Sequence, residues 1–206
     1  MKQFRIQNRF TRDVLFKGRF SSFAACLEAA VAQGCDLTGA DLRHKNLINA
    51  SLDTAYMPQA DLSYSNLSGA NLSEGCLRGA VLRYSALFNV CFCYSDLRSC
   101  DFSEAHFGGT DISGCDISQA TFSALSCFDL DFWHTARMEG CHYLGLNGRM
   151  SMMNTRPVVL KGLMHQPIII LDEDVHIGAG SFPRRFLPGL LDLLERRAPI
   201  GAAAHA

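Results

Sequence analysis

The chain has 206 residues, of which 48% are hydrophobic and 19% charged, and this balance predicts a packed protein rather than a disordered one. The net charge of −1 conceals an uneven distribution, because residues 35–134 hold twelve acidic and five basic side chains while both ends are basic. An acidic centre disfavours the usual kind of nucleic-acid-binding protein, which presents a basic surface.

The start of the chain carries no targeting or membrane signal. MKQFRIQNRF lacks the apolar core of a signal peptide, and no apolar run approaches the roughly 18 residues of a membrane span. Nine cysteines is an odd number, and most of them fall inside a repeat. We therefore expect a cytoplasmic protein whose thiols are reduced.

Residues 1–34 predict a strand segment followed by a helix. FRIQNRFTRDVLFKGRF alternates apolar and polar residues, as a short strand or hairpin does. In SSFAACLEAAVAQG, Ser21 or Ser22 would cap a helix that Gly34 ends. The apolar face of this helix would consist of Ala24, Leu27, Ala30 and Val31.

A five-residue period begins at Cys35, and it fits neither a helix nor a strand. A large apolar residue, the central residue, recurs eighteen times from Leu37 to Phe122. A small residue stands two places before each central residue, with Lys45 as the exception. Cys127 and Phe132 would extend the series, but Leu125 and Leu130 would then be too large for the small position.

The repeat resembles the pentapeptide-repeat family, whose loose consensus is A(D/N)Lxx. GADL at 39–42, QADL at 59–62 and GANL at 69–72 match it directly. The resemblance implies a right-handed β-helix in which four pentapeptides form one square coil, with the central and small residues inside. The stretch NRFT…VLF is similar to the start of members from phage and proteobacterial genomes, which implies a bacterial or phage source.

The physics of stacking supports that fold independently. Coils stacked at the strand spacing of about 4.8 Å pair their backbone groups with the next coil, and open ends need caps. We predict an all-β solenoid, a right-handed quadrilateral β-helix of about five coils, with an N-terminal helical cap and a small C-terminal β-rich segment plus helix. The predicted domains are the cap at 1–34, the pentapeptide-repeat β-helix at 35–134, and the C-terminal β-rich cap and terminal helix at 135–206.

The C-terminal region has a different composition. Asn147-Gly148 is a hairpin signal, and PVVLKGL and PIIILDEDVHIG read as β segments. An amphipathic helix is predicted from Ser181 to Arg197, and homodimerisation through it is one hypothesis. Its apolar residues are Leu187, Leu190, Leu191 and Leu194.

No catalytic or metal-binding constellation is visible in the sequence. Cys91 and Cys93 flank the inward Phe92 and should both point outward, but a single C-x-C pair is weak support for a metal. The LDED cluster at 171–174 beside His176 fits a solvated turn better than acid–base chemistry. We therefore expect no enzymatic activity, no cofactor and no metal.

The five-residue period assigns each outward residue to a side. Two adjacent sides carry an acidic face interrupted by arginine, and a third side has no outward charge up to His106. Phe88 and Ile48 point out from that third side, and His44, Tyr64 and Tyr84 should stack along one corner. The candidate partner-binding residues are thus Phe88, Ile48, His44, Tyr64 and Tyr84, unless a terminal segment folds back over them. The acidic face consists of Asp36, Asp41, Asp61, Asp96, Asp101, Glu104 and Asp116.

Three functional hypotheses follow, and the last of them is an enzyme built on the C-terminal β segment. The first is a non-catalytic scaffold that binds a protein partner through a rigid β-helix face, with no direct contact to nucleic acid or membrane. The second comes from the resemblance, since some pentapeptide-repeat proteins mimic duplex DNA, bind type II topoisomerases such as DNA gyrase and confer inhibitor resistance. The acidic centre and the terminal helix favour this DNA-mimic reading, whereas the interrupting arginines and the short repeat region oppose it.

Overall fold

The structure, a computed structural model, describes residues 1–123, 126, 129–160 and 167–189. A hairpin and a helix precede a long series of stacked turns, and β sheets follow it. The elements are β1 (Lys2–Gln7), β2 (Val14–Phe20), α1 (Phe23–Ala32), β3 (Ala86–Phe88), β4 (His106–Gly108), β5 (Thr121–Ser123), β6 (Cys141–Leu144), β7 (Met150–Met153), β8 (Val158–Leu160), β9 (Ile168–Ile170), β10 (Asp174–Ile177), β11 (Gly180–Pro183) and a 3-10 turn (Arg184–Phe186).

Residues 35–123, which we call the tower, wind with a repeat of 20 residues. Parallel bridges join each coil to the next, from Asp41 with Asp61 to Asp101 with Thr121. The amide of central Leu62, for example, donates to the carbonyl of Val81 at 2.8 Å. Because four five-residue units fill one repeat of 20 residues, the tower has four sides, as the family resemblance implies.

The interior of the tower is the hydrophobic core of the molecule. Every central residue from Leu37 to Phe122 is buried, and so is each small residue except Cys35 and Lys45. Polar small residues are satisfied by backbone carbonyls: Ser85 donates to Leu82 O at 2.6 Å. The buried rings concentrate towards the C-terminal end, as predicted, where Phe102 stacks on Phe122 at 5.3 Å.

Each corner of the tower lies two places after a central residue and has left-handed backbone. At the corner of Tyr64, φ is +59°, and the amide of Ser65 donates to Leu62 O at 3.1 Å. This is the geometry of a type II β-turn. Glycine adopts it freely, whereas other residues pay roughly 1–2 kcal/mol. Side chains at corners such as Tyr64 are therefore present in spite of the backbone preference.

The N-terminal residues form backbone hydrogen bonds with the first coil. The amide of Arg9 donates to Gly39 O at 2.7 Å, and the amide of Asp41 donates to Gln7 O at 2.8 Å, so the β1–β2 hairpin continues the backbone pairing. Helix α1 begins after Ser22, whose hydroxyl accepts from Ala25 N at 3.0 Å. The predicted hairpin and helix are thus both present.

Lys45, the exception at a small position, has a structural explanation. It lies in the first coil beside α1, and its Nζ sits 4.9 Å from the ring centroid of Phe23. A cation over an aromatic face contributes about 0.5–1 kcal/mol at an exposed site. The side chain therefore leaves the interior and joins the tower to the helix.

Phe132 falls on the five-residue register, and the register has shifted by one at Arg137. Between Phe122 and Phe132, Ser126 Oγ donates to Phe102 O, 24 residues back, where the repeat gives 23. Phe132 is buried and contacts Phe122 at 5.2 Å, and Leu130 is buried at a small position that seemed too narrow for it. Ile117 N then donates to Arg137 O, one residue later than the repeat would supply. The next inward aromatic residue is accordingly Tyr143. Cys127 and Leu125 lie outside the described residues.

The predicted C-terminal β segments are present. β6 and β7 form the hairpin expected at Asn147-Gly148, with φ of +76° at Gly148. PVVLKGL contains β8, and PIIILDEDVHIG contains β9 and β10, in an antiparallel sheet of order β11-β10-β9-β8.

The prediction of a helix starting at Ser181 is wrong for its first part. Ser181 lies in β11 and pairs with His176 of β10, so backbone pairing along a sheet edge outweighs the amphipathic pattern. Leu187 packs against Ile168, Ile170 and Val175 of this chain. Leu190, Leu191 and Leu194 lie outside the described residues, so dimerisation through them stays a prediction. None of the helices in the described part of the chain has the length and apolarity that a bilayer crossing requires.

Candidate interaction surfaces

Three rings stack along one corner of the tower. The centroids of His44 and Tyr64 are 5.0 Å apart, those of Tyr64 and Tyr84 are 4.9 Å apart, and both pairs are tilted by only 9°. The stacking expected from the sequence is therefore present, and its spacing is that of the coils. Tyr64 is 54% exposed and Tyr84 42% exposed, so one edge of the stack faces solvent.

Phe88 and Ile48 lie on the side that follows this corner in the chain. Ile48 is 45% exposed and Phe88 43% exposed, so no described segment covers them. The Phe88 ring lies against the next coil, because a Cβ on Gly108 would be 3.0 Å from Phe88 Cδ1. Gly108 therefore makes the room that this ring occupies. We call the surface formed by His44, Tyr64, Tyr84, Ile48 and Phe88 the aromatic side.

The acidic residues behave differently, because arginines lie between them. Asp96 contacts Arg98 Nη2 at 2.7 Å and Arg78 Nη2 at 3.0 Å. Hydrogen bonds from Arg98 and Arg78 lower the pKa of Asp96 to about 2, although partial burial opposes this. Arg98 also lies 3.9 Å from Asp116, which joins two coils.

The neighbouring acidic column is paired in the same way. Arg43 contacts Asp41 at 2.7 Å and Asp61 at 3.7 Å. Arg83 lies 3.7 Å from Asp101, and Arg9 of the N-terminal hairpin reaches Asp61 at 3.4 Å. These two adjacent sides of the tower together form one surface, which we call the arginine–aspartate side. It consists of Asp41, Asp61, Asp96, Asp101 and Asp116 with the arginines that contact them. The sequence did not indicate the contribution of Arg9, because it comes from a distant segment.

Asp36 and Glu104 complete the predicted acidic face. Asp36 accepts a hydrogen bond from Thr38 N at 2.8 Å. Glu104 is half-buried at a corner, and its amide donates to Ser123 Oγ at 2.8 Å. These residues are outward-facing, but the acidic face as a whole is largely charge-compensated.

The LDED cluster lies at the turn between β9 and β10, as the sequence suggests, but two of its three carboxylates are hydrogen-bonded. Asp172 accepts from Asn154 N at 2.6 Å and from Thr155 N at 3.1 Å, so its carboxylate fixes the chain after β7. Asp174 accepts from Ser151 Oγ at 2.7 Å. Only Glu173 is exposed in this cluster.

Ser151, Asp174 and His176 meet in the C-terminal part without forming a catalytic triad. Ser151 Oγ lies between Asp174 Oδ2 and His176 Nε2, the latter at 3.2 Å, whereas a triad needs the histidine in the middle. Ser151 and His176 are both buried. Burial lowers the pKa of His176, with Asp174 opposing and Arg149 reinforcing that effect. The contact joins β7 to β10.

The sequence also missed an aromatic contact beyond the tower. Trp133 is 70% exposed, and the guanidinium of Arg156 lies 4.7 Å from its ring centroid. Both residues line an open groove with Arg137 and Val158. Within the residues that the structure describes, no group of three or more His, Cys, Asp or Glu side chains could hold a metal ion.

A stacked, four-sided solenoid with a filled interior and patterned outer columns defines a class of repeat protein. The family model for pentapeptide repeats matches this chain in eight copies, at residues 25–63, 46–83 and 85–123. The chain therefore belongs to the pentapeptide-repeat family, whose members fold as right-handed β-helices. No curated protein sequence matches it.

Solved structures of pentapeptide-repeat proteins are similar to about half of the chain. The protein alr5209 from Nostoc PCC 7120 is 26% identical over 52% of this chain and 84% of its own, with a TM-score of 0.44. HetL from the same cyanobacterium, a protein involved in heterocyst differentiation regulation, is 18% identical over 54% and 66%, with a TM-score of 0.26. QnrB1, a plasmid-mediated fluoroquinolone resistance protein, is 18% identical over 48% and 64%, with a TM-score of 0.25.

Proposed function

We propose that this protein is a non-catalytic scaffold that binds a partner protein through the aromatic side of its tower. Pentapeptide-repeat proteins are generally structural or interaction proteins rather than enzymes. The observation that carries the proposal is the exposed stack of His44, Tyr64 and Tyr84, held at corners where the backbone itself favours glycine.

A rigid aromatic surface suits protein recognition. Tyrosine offers a large contact area with little loss of conformational entropy, and aromatic residues are enriched in interface cores. The Tyr64 ring is already ordered by stacking at 5.0 and 4.9 Å on its two neighbours, so binding would cost it little further freedom.

The other two residues of the aromatic side, Ile48 and Phe88, support the same role. Ile48 and Phe88 are separated along their column by Ser68, and Asn46, Asn66 and Ala86 stand beside them. These side chains carry no charge, so a partner could bury them without a large desolvation penalty.

Capture of a partner tests the proposal. Full-length protein with Phe88→Asp should remain folded by circular dichroism and lose the partner that the unchanged protein retains, because a charge at this position would be buried in the complex. Ser73→Asp, at the same position of the repeat on another side, is the matched control. Retention of the partner by Phe88→Asp, or loss of it with Ser73→Asp as well, would contradict the proposal.

Modulation of a type II topoisomerase by DNA mimicry is the second candidate. It rests on the net charge of −7 over residues 35–134, which comes from twelve acidic and five basic residues. The arginines within 4 Å of Asp41, Asp61, Asp96, Asp101 and Asp116 weaken the negative potential that a DNA mimic needs. A gyrase supercoiling assay tests this candidate. If micromolar protein neither inhibits nor protects gyrase, the candidate is excluded.

We further propose that residues 1–34 cap the first coil and residues 135–206 cap the other end of a β-helix of about five coils. The pairing of Arg9 with Gly39 and of Gln7 with Asp41 supports the first cap. The parallel pairing of β5 with β6 supports the second. Caps at both ends would keep the open tower from pairing with another copy.

A further inference from the structure

Two cysteine thiols lie in contact on the outside of the tower. Cys91 and Cys93 flank central Phe92, so both side chains emerge on the same side of the same coil. Their Sγ atoms are 3.2 Å apart, and both residues are partly exposed. The proposed function uses neither of them.

The other described cysteines have different surroundings. Cys100 and Cys115 are buried and donate to the carbonyls of Leu77 and Phe92 at 3.1 and 3.0 Å. Cys76, which occupies the same place in its pentapeptide as Cys91, lies 4.0 Å from a carboxylate oxygen of Asp96. Among the cysteines that the structure describes, Cys91 and Cys93 are the pair whose sulfur atoms meet.

The backbone spacing permits a bond between the two sulfurs. Residues two apart in extended chain have Cα atoms separated by roughly 6.6 Å. That is near the upper end of the range of about 4.4–6.8 Å seen in disulfides. Because the two sulfur atoms are already 3.2 Å apart, small side-chain rotations would close the bond.

We propose that Cys91 and Cys93 form a reversible redox site that a low-molecular-weight disulfide oxidises to an intrachain disulfide. In the first step the Cys91 thiolate attacks one sulfur of the oxidant, forming a mixed disulfide and releasing one thiolate. In the second step Cys93 loses its proton to solvent and attacks Cys91 Sγ, releasing the second thiolate. Two electrons pass from the protein to the oxidant, which is reduced to two thiols.

The surroundings of Cys93 fix this order. Burial, together with hydrogen bonds to Cys91 and Asp111, raises the pKa of Cys93 to about 12. A thiol that ionises so poorly is a weak first nucleophile. Once Cys91 carries the mixed disulfide, the contact between the two sulfurs makes the second attack intramolecular, which compensates for the low fraction of thiolate.

Oxidation of the full chain with glutathione disulfide, followed by alkylation of free thiols and peptide mass spectrometry, tests the proposal. The unchanged protein should lose two hydrogen atoms and yield a Cys91–Cys93 cross-linked peptide that dithiothreitol reopens. Cys93→Ser should instead accumulate glutathione on Cys91, because the second attack is removed. Cys91→Ser should yield no cross-link, and its Cys93 should be modified more slowly than Cys91 is in Cys93→Ser, because burial still disfavours the Cys93 thiolate.

Cys76→Ser is the matched control and should leave the cross-link unchanged. Glutathione adducts on Cys91 in the unchanged protein that do not resolve to a disulfide would overturn the proposal. So would a cross-link between either cysteine and a different one, or equal glutathione incorporation at Cys76 and Cys91. Because the readout is a bond and not binding, the result does not depend on the proposed scaffold function.

Discussion

The aromatic side and the arginine–aspartate side of the tower are built by the same repeat but use it differently. On the arginine–aspartate side, Arg98 lies 2.7 Å from Asp96 and 3.9 Å from Asp116, so charges of both signs meet within and between coils. On the aromatic side, Tyr64 stacks on two neighbours yet is 54% exposed. The charges of the arginine–aspartate side are paired with one another, whereas the aromatic side keeps apolar area in contact with water.

This difference indicates which surface has binding energy to offer. A carboxylate paired with arginine already has its hydrogen bonds. If a partner had to break them, the free energy lost would offset the free energy that the new contacts contribute. Exposed rings lose only water when they are covered. We therefore expect stability effects from the arginine–aspartate side and binding effects from the aromatic side.

The largest effect is expected from replacing two rings of the aromatic side. Tyr64→Ser with Tyr84→Ser should weaken partner binding at least tenfold, or about 1.4 kcal/mol, because tyrosines are frequent hot spots. Titration calorimetry with the captured partner measures the affinity. Asp61→Asn with Asp101→Asn, from the arginine–aspartate side, is the matched pair. Equal losses in both double variants would remove the distinction between the two sides.

The backbone at the aromatic corner gives the next largest effect. Tyr64 has φ of +59°. Because glycine adopts this conformation freely, Tyr64→Gly should be about 1 kcal/mol more stable than Tyr64→Ala. Urea unfolding of the two variants provides the measurement. If the Tyr64→Ala variant proved as stable as the Tyr64→Gly variant, the backbone at this corner would have no preference for glycine.

A smaller effect is expected at the centre of the arginine–aspartate side. Asp96→Asn should lower the free energy of unfolding by about 0.5 kcal/mol at neutral pH, the scale of exposed ion pairs. The native pKa of Asp96 is depressed from 3.8 to about 2, so its contribution is present above pH 3.8 and is lost as the pH falls towards 2. Urea midpoints measured from neutral pH down to that range should therefore converge for the two proteins. A constant difference across this range would mean that ionisation of Asp96 is not the source.

The smallest expected effect is that of salt. Raising ionic strength from about 0.05 to about 0.5 M should change partner affinity less than about threefold, because apolar contacts are not screened. Affinity measured across that range provides the test. A steep loss of partner affinity with rising salt would indicate that the partner binds the arginine–aspartate side, and it would support DNA mimicry.

Much of the fold could be predicted because the repeat leaves little freedom. A five-residue period places every central residue inside, and from Leu37 to Phe122 each of them is buried. The same count places His44, Tyr64 and Tyr84 in one column, because they are 20 residues apart. Among the described residues, the register departs from the repeat beyond Phe122. Ser126 Oγ donates to the carbonyl 24 residues back, whereas Cys115 Sγ donates to the one 23 residues back. Ile117 N then donates to Arg137 O, one residue later than the repeat would supply.

The C-terminal region was less predictable for a physical reason. Ser181 begins an apolar pattern that suits a helix, yet it pairs with His176 in a sheet. Local propensity is weak compared with the hydrogen bonds that a sheet edge offers. Likewise, no spacing in the sequence places Ser151 beside Asp174, because these residues come from different strands of a non-repeating fold.

The sequence by itself therefore determined the tower, its four sides and the residues that each side presents, because position within a repeat dictates direction. The tertiary structure alone decided which of those residues are contacted by segments outside the repeat. It brought Arg9 of the hairpin to Asp61, placed Lys45 over Phe23, and left 43% of Phe88 exposed. Such contacts depend on distances between segments far apart in the chain, and a local period carries no information about them.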